Sequence, residues 1–306
     1  MAEKTVIALG FFDGVHIGHG ALLRKTVERA RELGIAAHGA AGNRIVPAAF
    51  TFDRSPKEFV TGVPVPLLTS VEERCALIRG LYGVERVIVA QFDRAMMTMP
   101  WRDFLETLLL GQHGAVWLVA GHDYRFGYRN EGTPELLRDW CGTHGVGCDI
   151  IPRVELNGVT VSSTHIRALV EAGDMPGAAV FLGHSYALAG TVVHGHRLGS
   201  TELVPTLNLS SAVTLVLPPR GVYASRTRLP DGTVLQSVTN IGVRPTIGGD
   251  DALSVETHLI GYEGDLYDAF VTVEFLRFLR GEKQFESIEA LHRQIERDIE
   301  QAKAEK

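Results

Sequence analysis

Apolar and polar residues follow two different rhythms along this chain of 306 residues. In the first half, short runs rich in Val, Ile and Ala precede longer stretches with apolar residues at helical spacing. We predict strands at Thr5–Phe11, Val46–Phe52, Arg86–Phe92 and Ala115–Ala120, and helices at Ala21–Leu33, Val71–Leu81, Pro100–Leu110 and Pro134–Gly142. Strands that alternate with helices indicate a parallel sheet covered by helices on both faces.

The rhythm changes near Gly183, after which strand patterns are short and are separated by turn residues. We predict strands at Ala187–Val193, Gly221–Thr227, Val234–Ile241 and Val271–Phe275. A helix from about Ser287 to Ala304 closes the chain. We expect core contacts from its apolar stripe, Ile288, Leu291, Ile295 and Ile299. The pattern predicts an α/β domain over residues 1–183 and a small antiparallel barrel or sandwich domain over residues 184–306.

Composition narrows the function classes. Hydrophobic residues make up 45% of the chain, which is typical of a globular protein with a well-formed core. The net charge of −6 argues against a general nucleic-acid-binding surface. No run is long and apolar enough to span a bilayer, so we expect no membrane partner. Cys75, Cys141 and Cys148 are odd in number and widely placed, which favours reduced thiols and a cytoplasmic location.

The strongest chemical signal is the run from Gly10 to His19, Gly-Phe-Phe-Asp-Gly-Val-His-Ile-Gly-His. It lies where the first predicted strand gives way to the first predicted helix, so backbone N–H groups and the helix dipole favour an anion there. Glycines let the backbone approach a phosphate, and imidazoles supply donors or positive charge to phosphoryl oxygens. Two alternatives are weaker. A metal site would need further ligands at usable spacing, and a dinucleotide fingerprint would need glycine where Leu23 stands.

This run resembles the HxGH signature of nucleotidylyltransferases, and its longer form resembles the prokaryotic FAD synthases. The resemblance implies a Rossmann-like parallel sheet and transfer of AMP from ATP to FMN, which gives FAD and pyrophosphate with Mg²⁺ as a charge neutraliser. It implies that His16 and His19 act on the triphosphate and the transition state. It implies ATP binding by the rest of the turn, namely Gly10, Phe11, Asp13, Gly14 and Gly18.

A second segment, Gly-His-Asp-Tyr-Arg-Phe-Gly at residues 121–127, is similar to the family's flavin-side segment. The resemblance implies flavin contacts by Asp123 and Phe126, together with Phe52. The alternative is an aromatic residue packed on the core beside a solvated carboxylate. One departure lies nearby, because the family pattern Thr-Phe-x-Pro-His-Pro is Thr-Phe-Asp-Arg-Ser-Pro at residues 51–56 and lacks the histidine.

A third segment, Ser-Ser-Thr-His-Ile-Arg at residues 162–167, resembles the motif that closes the nucleotide site in this family. The resemblance implies that Ser163 and Thr164 bind ATP and that Arg167 clamps phosphate during catalysis. A plain helix N-cap is the alternative for the two hydroxyl residues, and it explains the arginine less well.

The second half resembles the riboflavin kinase module that accompanies this adenylyltransferase in bacteria, through motifs in family order such as Asn-Ile-Gly-Val-Arg-Pro-Thr at residues 240–246. The resemblance implies that oxygens of Thr206 and Asn208 bind Mg²⁺ and phosphate. It implies that Glu256 takes the proton from the ribityl 5′-hydroxyl as that oxygen attacks the γ-phosphate of ATP. A strand glutamate that faces solvent is the alternative.

Several positions depart from the kinase pattern. Ser200 removes an arginine that could pair with phosphate, Glu202 lies beside it, and Leu203 replaces a glycine. Asp268 also stands where the family has glycine, and the stretch His38–Pro47 is longer than usual in the first half. Because the ligand residues survive in an altered loop, we expect a kinase activity that is retained but weakened.

The leading hypothesis is therefore a bifunctional enzyme that converts riboflavin to FMN and then to FAD, with riboflavin, FMN and ATP as its small-molecule partners. One alternative is a monofunctional FMN adenylyltransferase with an inactive barrel, and another is a nucleotidylyltransferase for a different acceptor. From another class, a flavin-binding regulatory protein without turnover remains an alternative. We expect no nucleic-acid partner, and the sequence leaves a homo-oligomer open.

Overall fold

The computed structural model describes residues 3–36, 44–193, 206–210, 214–244 and 252–305. The chain divides into two compact units. The sheet unit holds residues 1–65 and 71–162, and the barrel unit holds residues 66–70 and 163–306. Residues 163–183 thus belong to the barrel unit, whereas the sequence pattern assigns them to the first domain, and the boundary after residue 183 stays a prediction.

Two of the sequence departures noted above lie outside the described residues. These are Ser200 with Glu202 and Leu203 in the barrel half, and most of the stretch His38–Pro47 in the sheet half.

The sheet unit is built on a five-stranded parallel sheet. Its elements in chain order are β1 Lys4–Leu9, α1 Ile17–Ala36, β2 Ile45–Phe52, α2 Pro56–Thr61, α3 Val71–Tyr82, β3 Arg86–Ala90, α4 Arg94–Thr98, α5 Trp101–Asp103, a π-helical segment Phe104–Gln112, β4 Ala115–Gly121, α6 Pro134–His144, β5 Gly147–Ile151, and the hairpin strands β6 Glu155–Leu156 and β7 Val159–Thr160. The strand order β3-β2-β1-β4-β5 places β1 in the centre.

The central strand explains why helices cover both faces of this sheet. Val6 and Ala8 pack into one hydrophobic cluster, which includes Leu23 of α1. Ile7 and Leu9 point to the other face and pack into a second cluster, built largely from the π-helical segment and α6. All four strand residues are at most 1% exposed, as expected of a parallel strand buried on both faces. The α/β architecture predicted for this half is confirmed.

Three local features of the sheet unit differ from the sequence prediction. Helix α1 begins at Ile17 rather than at Ala21. Strand β5, Gly147–Ile151, was not predicted, and it pairs with β4 at the sheet edge. The helix expected at Pro100–Leu110 is a short α-turn followed by π-helical residues 104–112.

Where the structure describes it, the barrel unit shows two helices, a closed six-stranded barrel and a last helix. Its elements are α7 Ser163–Glu171, α8 Met175–Leu182, β8 Tyr186–Val193, β9 Leu207–Ser210, β10 Gly221–Arg228, β11 Val234–Arg244, β12 Ala252–Leu259, β13 Phe270–Arg280 and α9 Ile288–Ala304. The strands close in the order β10-β11-β12-β9-β8-β13, and every neighbouring pair is antiparallel. The predicted barrel and C-terminal helix are confirmed, and β9 and β12 are additional strands.

An ion pair fixes α9 to the barrel. Arg280 at the end of β13 donates from Nε and Nη2 to the carboxylate of Asp298 in α9, with distances of 3.0 and 2.7 Å to Oδ2. Asp298 is only 2% exposed. The apolar stripe expected to pack on the core is less buried, since Ile288 is 55% exposed and the others are half-buried. The Arg280–Asp298 ion pair therefore helps to hold α9 against the barrel, a role that the sequence pattern assigned to Ile288 among others.

Among the described residues, no helix is both long enough and apolar enough to cross a membrane.

Candidate active sites

The turn between β1 and α1 has an unusual backbone. Phe12, Gly14 and Val15 all have positive φ angles, of 59°, 78° and 42°. The Val15 amide donates to the Phe12 carbonyl oxygen at 3.0 Å, which closes the turn. The Gly20 amide then donates to the His16 carbonyl oxygen at 2.9 Å and starts the helix. The chain therefore reverses tightly at the carboxyl edge of the central strand.

This edge is where parallel sheets bind ligands. From β1 the chain runs to β2 and then β3 on one side of the sheet, and the connection after β3 crosses to β4 on the other side of β1. A crevice forms at such a switch point, outside the carboxyl ends of the strands. Five of the seven residues predicted to bind ATP lie in this turn or in the first turn of α1, and Asp13 among them is 3% exposed.

The two histidines of the turn form a stacked pair. Their ring centroids are 3.6 Å apart and the ring planes differ by 11°. The backbone N–H of His19 donates to Nδ1 of His16 at 3.2 Å. Because Nδ1 of His16 accepts this bond, neutral His16 carries its proton on Nε2, which leaves that atom as a donor. The ring of Phe12 meets His19 edge-on, with centroids 5.2 Å apart.

Glycine at position 18 makes room for this stack. A Cβ atom built there would lie 3.1 Å from Cε1 and Nδ1 of the His16 ring. Such a contact is tighter than ordinary van der Waals distance, so an added methyl group would displace the imidazole. Gly10 has a similar role, because a Cβ there would lie 2.9 Å from the ring of Phe12.

The local electrostatics keep His19 neutral in the absence of an anion. Burial lowers the pKa of His19 well below its ordinary value, and the neighbouring His16 and Arg74 lower it further. Nδ1 of His19 is buried without a hydrogen-bond partner. Two imidazoles and a buried guanidinium therefore lie close together, an arrangement that attracts negative charge.

A cavity of about 460 Å³ is lined by residues that follow β2, β3 and β4. Its walls are aromatic and include Phe52, Phe92 and Phe126. The rings of Phe52 and Phe92 meet edge-on at 4.9 Å, and Tyr124 stacks on Phe126 at 5.7 Å. Cavities of this size with apolar walls and a few polar groups are typical of small-molecule sites.

Two of the three residues predicted to contact the flavin line this cavity. Phe52 and Phe126 line it, whereas Asp123 does not and its side chain is 82% exposed. The structure adds residues that the motifs did not indicate: Lys57, Met96, Met97, Met99, Arg125 and Arg129. The methionines follow β3 in a segment without a recognisable motif, and only the run of three methionines within four positions, 96–99, could have drawn attention to it.

The third predicted segment begins α7 in the barrel unit. Ser163 is the first residue of the helix, Thr164 is exposed, and Nε of Arg167 donates to the carbonyl oxygen of Pro66 at 2.9 Å. The roles of these three residues in binding ATP and phosphate stay predictions from their motif.

The barrel brings two of the three predicted kinase residues, Asn208 and Glu256, together. Asn208 of β9 pairs directly with Glu256 of β12, so the two side chains project from the same face of the sheet. Asn208 is 8% exposed. Thr206 lies just before β9 and lines a cavity of about 270 Å³, together with Thr257 and His258.

One departure from the kinase pattern has a visible backbone consequence. Asp268 has a φ of 62°, a conformation that glycine adopts without steric cost. Its amide donates to the carbonyl oxygen of Val192 at 3.0 Å, next to the cavity of the barrel. The aspartate therefore holds a left-handed conformation that a glycine would adopt more readily.

Comparisons with known proteins agree with both halves. Residues 1–165 match the FAD synthetase family, and residues 182–305 match the riboflavin kinase family. A bifunctional riboflavin kinase/FMN adenylyltransferase from Pseudomonas fluorescens is 35% identical over 299 residues, which covers 98% of this chain and 92% of that protein. The enzyme of the same description from Haemophilus influenzae is 33% identical and covers 99% of this chain and 94% of its own length.

A solved structure shares the fold over the whole chain. The crystal structure of a protein described as a macrolide-efflux protein from Streptococcus pneumoniae superposes with a TM-score of 0.83 at 26% identity, covering 100% of this chain and 96% of that one. The efflux description belongs to that protein. Given the two matched families and the relatives that are similar over nearly their full length, this chain belongs to the family of bifunctional riboflavin kinase/FMN adenylyltransferases.

Proposed function

We propose that the sheet unit transfers AMP from ATP to FMN at the turn between β1 and α1, and that the barrel unit phosphorylates riboflavin beside Asn208 and Glu256. Family membership over nearly the whole chain supports both reactions. The observation that carries the first assignment is the stacked pair of His16 and His19 at the N-terminus of α1. Helix N-termini bind phosphate through free N–H groups and the helix dipole.

Adenylyl transfer depends on charge stabilisation more than on a protein nucleophile. A phosphate oxygen of FMN attacks the α-phosphorus of ATP, a P–O bond forms, and the bond to the pyrophosphate oxygen breaks. The attacking oxygen is already anionic, so the enzyme holds the groups in line and stabilises the charge that develops. Nε2–H of His16 is a donor fixed by the amide of His19, and it is suited to an oxygen on the α- or β-phosphorus.

The cavity of about 460 Å³ supports the choice of a flavin as acceptor. Phe52, Phe92 and Phe126 provide flat apolar walls for a tricyclic ring. Lys57 and Arg129 also line the cavity and can pair with a phosphate or with a polar edge of the ring. Asp123 is proposed to contact the flavin from its exposed position outside the cavity lining. The family histidine is missing from residues 51–56, and Lys57, the residue after this segment, is a cation that lines the cavity.

For the kinase step, we assign the proton transfer to Glu256. Its carboxylate takes the proton of the ribityl 5′-hydroxyl while that oxygen attacks the γ-phosphorus of ATP and ADP leaves. Asn208 lies directly opposite on β9, and Thr206 precedes the same strand and lines the cavity of about 270 Å³. The altered residues Ser200 and Leu203 support a weaker kinase than adenylyltransferase.

The donor set of the barrel fits a hard cation. Thr206 and Asn208 offer hydroxyl and amide oxygens, which suit Mg²⁺ bound mainly through substrate phosphates. Among the described residues, no three His, Cys, Asp or Glu side chains are grouped as a site for a resident metal. When bound with ATP, Mg²⁺ neutralises phosphate charge, and Thr206 and Asn208 would hold it.

Flavin chromatography tests the two assignments in one protein. Purified protein is incubated with ATP and Mg²⁺ plus either riboflavin or FMN, and the flavin products are separated. We expect FAD from FMN, and a slower appearance of FMN and FAD from riboflavin. FAD from FMN alone would instead select a monofunctional adenylyltransferase with an inactive barrel. Tight flavin binding without any product would select a regulatory protein.

Variants assign the reactions to the two units. His19→Ala should abolish FAD formation and leave riboflavin phosphorylation intact, and Glu256→Gln should do the reverse. The exposed His144 of α6 and Glu263 of the barrel supply matched controls, because His144→Ala and Glu263→Gln should change neither rate. Equal loss of both activities in His19→Ala or in Glu256→Gln would contradict two separate sites.

We also propose that the protein acts in the cytoplasm. Its three cysteines are free thiols in the structure, and that compartment keeps thiols reduced.

A further inference from the structure

Arg74 of α3 is the largest fully buried side chain among the described residues, with an exposure of 0%. Arginine is rarely buried completely, because its charge loses hydration that few protein contacts replace. In Arg74, Nε and Nη2 are buried and make no hydrogen bond. An apolar side chain would fill this place without that cost, so the arginine requires a reason beyond packing.

Its contacts lead to the turn that holds the histidines. Nη1 donates to Oγ1 of Thr51 at 3.1 Å and to the carbonyl oxygen of Phe52 at 3.0 Å. Oγ1 of Thr51 in turn donates to the carbonyl oxygen of Phe11 at 2.7 Å. The guanidinium carbon lies 4.2 Å from the centroid of the Phe11 ring. One side chain thus ties the end of β2 to the first residues of the turn.

The charge of Arg74 also acts electrostatically on His19 of the turn. It is one of the charges that lower the pKa of His19. Burial lowers the pKa of the guanidinium itself, and the Asp13 carboxylate opposes that shift. The groups that act on His19 are His16 from the turn and Arg74 from α3. The groups that act on the guanidinium are Asp13 from the turn, and Cys75 and Glu72 from α3 itself.

We propose that Arg74 is a positioning residue for adenylyl transfer, which holds the His16–His19 turn in place through Phe11 and provides a fixed positive charge beneath it. The proposal rests on the proposed function of the sheet unit. A buried cation that does not move needs no reorganisation when a polyphosphate binds. Together with burial and His16, the same charge keeps His19 neutral before binding, so that its ring stacks on His16 without repulsion between two cations.

The test compares three variants of the full-length protein. Arg74→Met keeps the length of the side chain and removes the charge, and Arg74→Lys keeps the charge and loses the paired hydrogen bonds. Arg79→Met is the matched control, since Arg79 is exposed on the same helix. The measurements are kcat and KM for FAD formation, riboflavin phosphorylation as a check on the fold, and an NMR titration of ¹³C-labelled histidines. His19→Gln identifies the His19 signal.

We expect Arg74→Met to lower kcat for FAD formation by about 100-fold, with a much smaller change in KM. It should raise the pKa of His19 towards the ordinary histidine value. Arg74→Lys should lower kcat by about tenfold and leave the titration of His19 unchanged, because the charge remains. Arg79→Met should resemble the unaltered protein in every measurement.

Other results would overturn the proposal. An unchanged His19 titration in Arg74→Met, or a loss of thermal stability with kcat intact, would make Arg74 a structural residue only. If Arg74→Met fails to fold, Thr51→Val tests the link to Phe11, and an unchanged kcat there would refute it. If the unaltered protein makes no FAD, the proposed function fails, while the titration still decides whether Arg74 acts on His19.

Discussion

Gly18→Ala separates the activity of the site from the stability of the fold. Gly18 is in the first turn of α1, and its φ is not in the left-handed region, so alanine fits the backbone. Alanine favours a helix over glycine by up to about 1 kcal/mol, so the helix should not be weakened. The new methyl group, however, would lie 3.1 Å from the ring of His16. The imidazole is the flexible partner and would shift by a few tenths of an ångström.

The size of the shift sets the expected loss. A misplacement of about 1 Å costs about 100-fold in rate, so a shift of a few tenths predicts a loss of about three- to tenfold in kcat for FAD formation. Thermal melting should show a stability within about 1 kcal/mol of the unaltered protein. Gly80→Ala is the matched control, because Gly80 lies in α3 and a Cβ there meets nothing within 4 Å.

Riboflavin phosphorylation by the same samples should be unchanged, since it depends on the barrel unit. Full kcat in Gly18→Ala would refute the reasoning, because it would mean that the position of the His16 ring does not limit the reaction. A large loss of stability would refute it as well, since the loss of rate could then follow from unfolding.

Three further predictions concern other parts of the molecule. Because the pKa of His19 is lowered by folding, the unfolded chain binds more protons than the folded one below about pH 6.5. The free energy of unfolding should therefore fall as the pH drops, by at most about 1.4 kcal/mol per pH unit for this group. His19→Gln should flatten this pH dependence in chemical denaturation. Asp298→Ala leaves the half-buried Arg280 without its buried carboxylate partner and should destabilise the barrel by about 3 kcal/mol. Glu300→Ala at the exposed pair with Lys303 should cost less than about 1 kcal/mol. Phe126→Ala should raise KM for FMN by about tenfold or more, and Asp123→Ala, at an exposed position, should change KM little. A larger effect of Asp123→Ala than of Phe126→Ala would refute flavin binding in the cavity of about 460 Å³.

Periodicity predicted the elements whose apolar patterns are continuous and missed those that polar contacts complete. Strand β5 contains Gly147 and Asp149, which broke the apolar pattern. The structure shows why a polar residue is stable there: Asp149 accepts hydrogen bonds from Nε1 of Trp117 and Nε of Arg29, both at 2.8 Å. These partners lie far from β5 along the chain, so local pattern could not indicate them.

The start of α1 was placed too late for a related reason. Gly18, His19 and Gly20 are weak helix formers, so propensity favoured a start at Ala21. The structure begins the helix at Ile17 because the turn is fixed by β1 and by the amide of His19 on His16. Local and tertiary contacts thus override propensity at the residues proposed to bind the anion, and this places both histidines at the helix N-terminus.

The sequence predicted the histidine pair, Phe52, Phe126 and the pairing partners Asn208 and Glu256, but it did not indicate Arg74. A signal was present, because Arg74 is four residues before Ile78 and beside Cys75, which puts it on the buried face of α3. Charged residues on amphipathic helices usually face water, so the spacing alone favoured a solvated side chain. Only the contacts with Thr51 and Phe11, which the structure shows, connect Arg74 to the turn of the histidines.

The strained turn and its buried side chains also explain how the histidines are held before substrate arrives. Phe12 and Val15 have positive φ angles of 59° and 42°, a conformation that costs a residue with a side chain about 1 kcal/mol or more. Both side chains are 0% exposed, and burying each contributes about 1.5 to 3 kcal/mol. Glycine at either position would relieve the strain, but it would also remove the apolar contact that fixes the turn to the core. Since the burial contributes at least as much as the strain costs, the strained form persists and holds His16 at the position proposed to meet a phosphate.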